Sequence, residues 1–94
     1  MPTLIQMVEK ELNISKKQLI EKGVKHFLEV ELRSLSIEIG KISSRYGVNF
    51  FNELWERLEA GKITESECFD DLSKLEYLEL ERKKVVKLLQ RAAQ

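Results

Sequence analysis

Residues 13–46 read NISKKQLIEKGVKHFLEVELRSLSIEIGKISSRY, and this stretch decides the fold. Within it Ile20, Val24, Leu28, Leu32, Leu35, Ile39, Ile42 and Tyr46 recur at steps of four and three. Such spacing lays one apolar stripe along a helix and forms the seam of a coiled-coil-like packing. Ser15 followed by Gln18 has the S-x-x-Q form of a capping box, so the helix starts at Lys16. Gly47 suits the left-handed position after a helix end and closes it at Tyr46. At about 1.5 Å per residue this helix is roughly 46 Å long. A second, weaker stripe of Gly23, Phe27, Val30, Ser34 and Ile37 gives it another face to cover.

Before this stretch, Thr3 caps a short helix to about Leu12, with Leu4, Ile5, Val8 and Leu12 on one side. After it, Asn49 is expected to cap a short helix ending near Gly61, with Phe51, Leu54, Trp55 and Leu58 as its inner face. Thr64 and Glu67 form a T-x-x-E box, and a final helix runs from there to about Ala92. Its main stripe is Cys68, Leu72, Leu75, Leu78, Val85 and Leu89, interrupted by Arg82. Its second stripe holds Phe69, Tyr77, Leu80 and Leu88. Two long helices joined by a compact turn fold back antiparallel, because each buries its stripe against the nearest neighbour. The expected fold is therefore all-α, a long antiparallel helical hairpin with short N-terminal and connecting helices, one domain over residues 1–94. A lone hairpin leaves both second stripes wet. The chain is expected either to dimerise into a bundle or to offer a docking groove to another protein.

The composition agrees with this reading and removes several classes. At 43% hydrophobic and 34% charged residues the chain is too apolar for disorder and too charged for a membrane protein. One Pro and four Gly leave little to punctuate strands. Apolar runs reach only about two residues, against the roughly 20 needed to cross a bilayer. The opening MPTLIQMVEK has no basic leader before an apolar block, and the single Cys68 fits a reducing compartment, so a cytoplasmic protein is expected. His26 has no ligand-type residue at metal spacing, Cys68 has no nearby His, and no Gly-rich phosphate loop or nucleophile elbow occurs. No catalysis, cofactor, metal or small-molecule substrate is expected.

Charge is distributed unevenly. From Glu53 to Glu81 acids dominate, and from Arg82 onward every charge is positive. An antiparallel hairpin is expected to bring Lys16 and Lys17 close to Lys84, Lys87 and Arg91, beside the helix start at Ser15. That would make a candidate nucleic-acid contact. Complementing the helix dipoles is the competing explanation of the same pattern. Phe27, Val30, Ile37, Trp55, Phe69, Tyr77, Leu80 and Leu88 are the candidate dimer or partner interface.

The stretch Leu4–Arg33 (LIQMVEKELNISKKQLIEKGVKHFLEVELR) resembles the paired helices of ribbon-helix-helix DNA-binding proteins. Asn13-Ile14-Ser15-Lys16-Lys17-Gln18-Leu19-Ile20 occupies their turn, and the resemblance assigns Ser15 and Lys16 to phosphate contact. Only Met1–Thr3 precede the first helix, so that family's base-reading strand is not expected. The remainder, with its S-x-R-Y-G-V turn, acidic short helix and long charged last helix, looks like small helical prokaryotic antitoxins of toxin–antitoxin pairs. The resemblance implies a cytoplasmic protein that binds and neutralises a toxin nuclease, with weak DNA binding at its basic end. A structural homodimer and a DNA-binding regulator are the alternatives.

Overall fold

The structure, a computed structural model, describes residues 1–92; the last two positions of the expected 1–94 domain lie outside the described residues. Four helices follow in order: α1 (Leu4–Leu12), α2 (Lys16–Tyr46), α3 (Phe51–Glu59) and α4 (Glu65–Ala92). No strand occurs among the described residues. α2 and α4 form the hairpin, α3 packs on α4, and α1 packs on α2.

Local chemistry accounts for most boundaries. Ser15 Oγ accepts from the Gln18 N–H at 3.1 Å while Gln18 Oε1 accepts from the Ser15 N–H at 3.2 Å, the expected box. Thr3 and Gln6 form a second one at 3.2 and 2.9 Å. Asn13, Gly47 and Gly61 take left-handed backbone angles (φ 51°, 63° and 74°). In each case the following N–H reaches back five residues, Ile14 to Glu9, Val48 to Ser43 and Lys62 to Arg57, which satisfies otherwise orphaned carbonyls.

Two caps differ from expectation. Phe50, not Asn49, holds the cap position of α3 and supplies no side-chain cap. The Asn49 N–H donates to Glu53 at 3.2 Å, and the Phe51 N–H donates to Glu79 of α4 at 2.7 Å. A tertiary carboxylate thus replaces the local cap and ties α3 to the hairpin. At α4 the Thr64 hydroxyl lies 3.3 Å from the Ser66 hydroxyl, and the Glu67 N–H donates to the Thr64 carbonyl at 3.1 Å. The expected T-x-x-E box takes this different form.

The core lies at the α3 end of the hairpin. Ile39, Ile42, Val48, Leu54, Leu72, Leu75 and Leu78 form one buried cluster, with Leu54 and Leu75 fully sealed. Trp55, expected on the inner face of α3, is exposed and stacks on Phe51 at 6.3 Å. The opposite end is bare. Ile20 and Val24 continue the α2 seam yet stay 52% and 53% exposed, and α1 buries no residue.

The hairpin register explains why. Tyr46 Oη donates to Asp71 at 2.6 Å and Glu38 pairs with Lys74 at 4.0 Å, which together set residues of the two helices level where their numbers sum to about 112–117. Extended along the helices, Ala92 stands level with about residues 20–25, so the first one to two turns of α2 overhang α4. The molecule is correspondingly long and flat, 63 × 29 × 16 Å with a radius of gyration of 19.7 Å, where a compact chain of this length has about 12 Å.

Candidate protein-interaction surface

Apolar side chains outside the core fall into separate sets. Val30 is two residues from Leu28, Ile37 is two from Leu35 and Ile39, and a two-residue step turns a helix by roughly 200°. Val30 and Ile37 therefore line the outer edge of α2, pointing away from α4. By the same rule Tyr77 and Leu80, two residues beyond Leu75 and Leu78, line the outer edge of α4, with Phe69 on the same outward arc. All five are exposed. The second stripes thus face apart. One two-fold contact cannot cover both, so the sequence-derived interface divides into two edges.

A third set lies on one broad side of the hairpin. The ion pairs Arg45–Asp71 (3.1 Å) and Glu38–Lys74 (4.0 Å) mark that side at the packed end. Heptad steps keep to one side of a helix. Stepping back from Arg45 and Glu38 leads to Glu31 and Val24, with Ile20 and Phe27 beside them. Stepping forward from Asp71 and Lys74 leads to Leu78 and Val85, and to Glu81 and Leu88. The same side is therefore ionic where the core is packed and apolar where it is bare. Phe27 and Leu88 are 61% and 50% exposed there, and Glu31, Glu81 and Lys84 edge the patch. Lys84 donates to Glu81 at 2.9 Å, a bond that raises its pKa.

The basic residues are strung along the bare end of the hairpin: Lys16 and Lys17 at the start of α2, Lys22 and Lys25 further along it, and Lys84, Lys87 and Arg91 on α4. In the register above, Lys17 lies about four to nine residues, or roughly 6–14 Å, beyond the level of Arg91, and further from Lys84 and Lys87. Ser15 lines an open cleft of about 740 Å³ with Glu9 and Lys10. Its capping box already occupies the Ser15 and Gln18 amides, and the Glu9 carboxylate lies in the same cleft. The Lys16 and Lys17 amides of the same first turn take no part in that box.

Polar groups at the packed end serve the fold. Arg45 and Tyr46 both bond Asp71, and Arg57 donates to the Tyr46 and Gly47 carbonyls that end α2. The hydrogen bond from Tyr46, followed by the Arg45 guanidinium, holds the Asp71 carboxyl below its usual range. The same bond, with burial, pushes Tyr46 up to about 12. Burial, then the charges of Glu67 and Asp71, raises the Cys68 thiol. An open groove of about 720 Å³ runs past Ser36, Gly40, Ser43, Phe50 and Arg82. Ser43 is 6% exposed and its hydroxyl has no hydrogen-bond partner among the described residues. His26 is exposed on α2.

Sequence reasoning missed the Asp71 and Glu79 contacts, since only the hairpin register brings acids at 71 and 79 to residues near 46 and 51. It also missed the broad apolar side, because its members come from two different stripes. The 3-4-3 spacing of Lys17, Ile20, Val24 and Phe27 is the signal that carried it.

Residues 1–93 match the family described as "Uncharacterized protein MJ0235 family", and the chain belongs to that family. It is 37% identical over 73 residues to a Methanocaldococcus jannaschii protein described as "Uncharacterized protein MJ0235", covering 78% of this chain and 88% of that one. No solved structure matches it. No helix among the described residues is long and apolar enough to cross a membrane.

Proposed function

We propose that this member of the MJ0235 family is a non-catalytic protein-interaction module whose partner is a basic protein, such as the toxin nuclease of a toxin–antitoxin pair. The observation that carries this reading is the outer edge of α4. Phe69, Tyr77 and Leu80 stand exposed there, interleaved with Asp70, Glu76 and Glu81, and Trp55 is exposed on the neighbouring α3. Exposed aromatic side chains ringed by charge supply both parts of an interface: anchors that bury large area, and a polar rim that sets orientation. An acidic rim favours a basic partner and speeds encounter with it.

The test is co-purification with tagged wild type and with Phe69→Asp/Tyr77→Asp. Both residues are outside the core, so the helical circular dichroism spectrum should be unchanged. A basic protein should be retained by the wild type at low salt, fall off as salt rises, and be lost with the double variant. Recovery of the same proteins by both would contradict the reading.

A further inference from the structure

We infer that two copies of the chain associate through the bare end of α2, antiparallel, with the two-fold axis at Val24. This surface is separate from the outer edge of α4, so this inference and the proposed function can fail independently.

The first argument is area. A folded monomer of 11.0 kDa exposes about 5,600 Å², while this chain exposes 7504 Å². The excess of about 1,900 Å² reflects the extended shape of the whole chain and leaves room for a stable homodimer contact, which takes roughly 1,000–2,500 Å² from each protomer. The second is where that apolar surface sits. On the broad side of the hairpin ion pairs occupy the packed end, and Ile20, Val24 and Phe27 are half or more exposed at the other.

The third argument selects the occupant. Lys17, Ile20, Val24, Phe27 and Glu31 follow steps of three, four, three and four, the spacing of one helix–helix seam. Lys17 and Glu31 each stand seven residues from Val24. Turning a second copy about an axis at Val24 sets Val24 against Val24, Ile20 against Phe27, and Lys17 against Glu31 at both ends. The seam is therefore complementary to itself in the antiparallel sense. In a parallel pair Lys17 would face Lys17 and Glu31 would face Glu31, and the charges would repel. Val85 and Leu88 flank the seam and extend the contact. An isologous contact of this kind closes at two copies.

Sedimentation equilibrium of the full chain tests this. The wild type should sediment at twice the 11.0 kDa chain mass at tens of micromolar, and Val24→Asp as a monomer with an unchanged helical spectrum. Lys17→Glu and Glu31→Lys, which leave the seam's apolar residues in place, should each weaken the dimer about tenfold, because every dimer holds two such pairs. The double variant Lys17→Glu/Glu31→Lys should recover wild-type affinity. A monomeric wild type would leave the face to another protein and overturn the inference. A dimer insensitive to Val24→Asp, or a double variant no tighter than either single one, would overturn it too.

Discussion

At the α3 end of the hairpin the α2 seam meets three neighbours: α4 beside it, α3 next to α4, and the Val48 turn. Leu54 and Leu75 are fully sealed there. One to two turns before Leu28 on the same stripe, Val24 and Ile20 meet solvent over half their surface. Residue type and spacing are alike at the two ends; what differs is the number of layers. A two-helix layer has two broad sides, and a helix pair without a third element cannot bury a stripe from both. Periodicity thus specifies which residues can be buried, and the length and placement of neighbouring elements specify which are.

Truncation should expose this contrast most strongly. Leu75→Ala removes a fully buried side chain and should cost about 2–5 kcal/mol by urea unfolding. Leu12→Ala, on α1 at 71% exposure, should change stability by less than about 0.5 kcal/mol. Similar losses at both sites would break the distinction between the ends.

Tyr46→Phe should cost about 1 kcal/mol, since it removes the bond to Asp71 that ties α2 to α4. The pH profile sharpens this. Asp71 titrates below its unfolded value of about 3.9, so its contribution is present above that pH and lost as pH falls through the folded pKa. Tyr46 is raised to about 12, so its contribution is full below the unfolded value of about 10 and lost as pH climbs toward 12. Tyr46→Phe should shrink the alkaline limb measured by unfolding to the part contributed by the raised Cys68 thiol; an unchanged alkaline limb would refute the assignment.

A smaller effect of opposite sign is expected at Ser43. Its hydroxyl is buried without a partner, so Ser43→Ala should leave stability unchanged or raise it by up to about 1 kcal/mol. A loss above that size would show that the hydroxyl is bonded in solution. Smallest of all is DNA binding at the bare end. If Lys84, Lys87 and Arg91 alone neutralise phosphates, the slope of log affinity against log salt is about −2.7. Lys16→Glu/Lys17→Glu, at the start of α2, should then leave the slope nearly unchanged. A much steeper slope would restore a single basic patch.

Much of this was legible in the chain. Lys16–Tyr46 could be bounded from Ser15, Gln18 and Gly47 because capping chemistry is local. The hairpin followed from two stripes that each needed a neighbour. The α3 start was illegible because its amide is met by Glu79, 28 residues away, and no local pattern encodes that. How near the basic residues of α2 and α4 come was illegible, since it depends on a register fixed by Tyr46–Asp71 and Glu38–Lys74. Of the candidate interface, the residue types were readable from the second stripes, but their division into two opposed edges required the helices to be placed.

Hydrogen exchange at two protein concentrations tests the contrast between the ends most directly. Amides in Ile39–Ser43 and Leu72–Leu78 should be protected equally at both concentrations, because their cover belongs to the same chain. Amides in Glu21–Leu28 should exchange quickly in dilute protein and slow severalfold as concentration rises, because their cover is a second copy. Protection at Glu21–Leu28 that equals the packed end and does not depend on concentration would contradict the account.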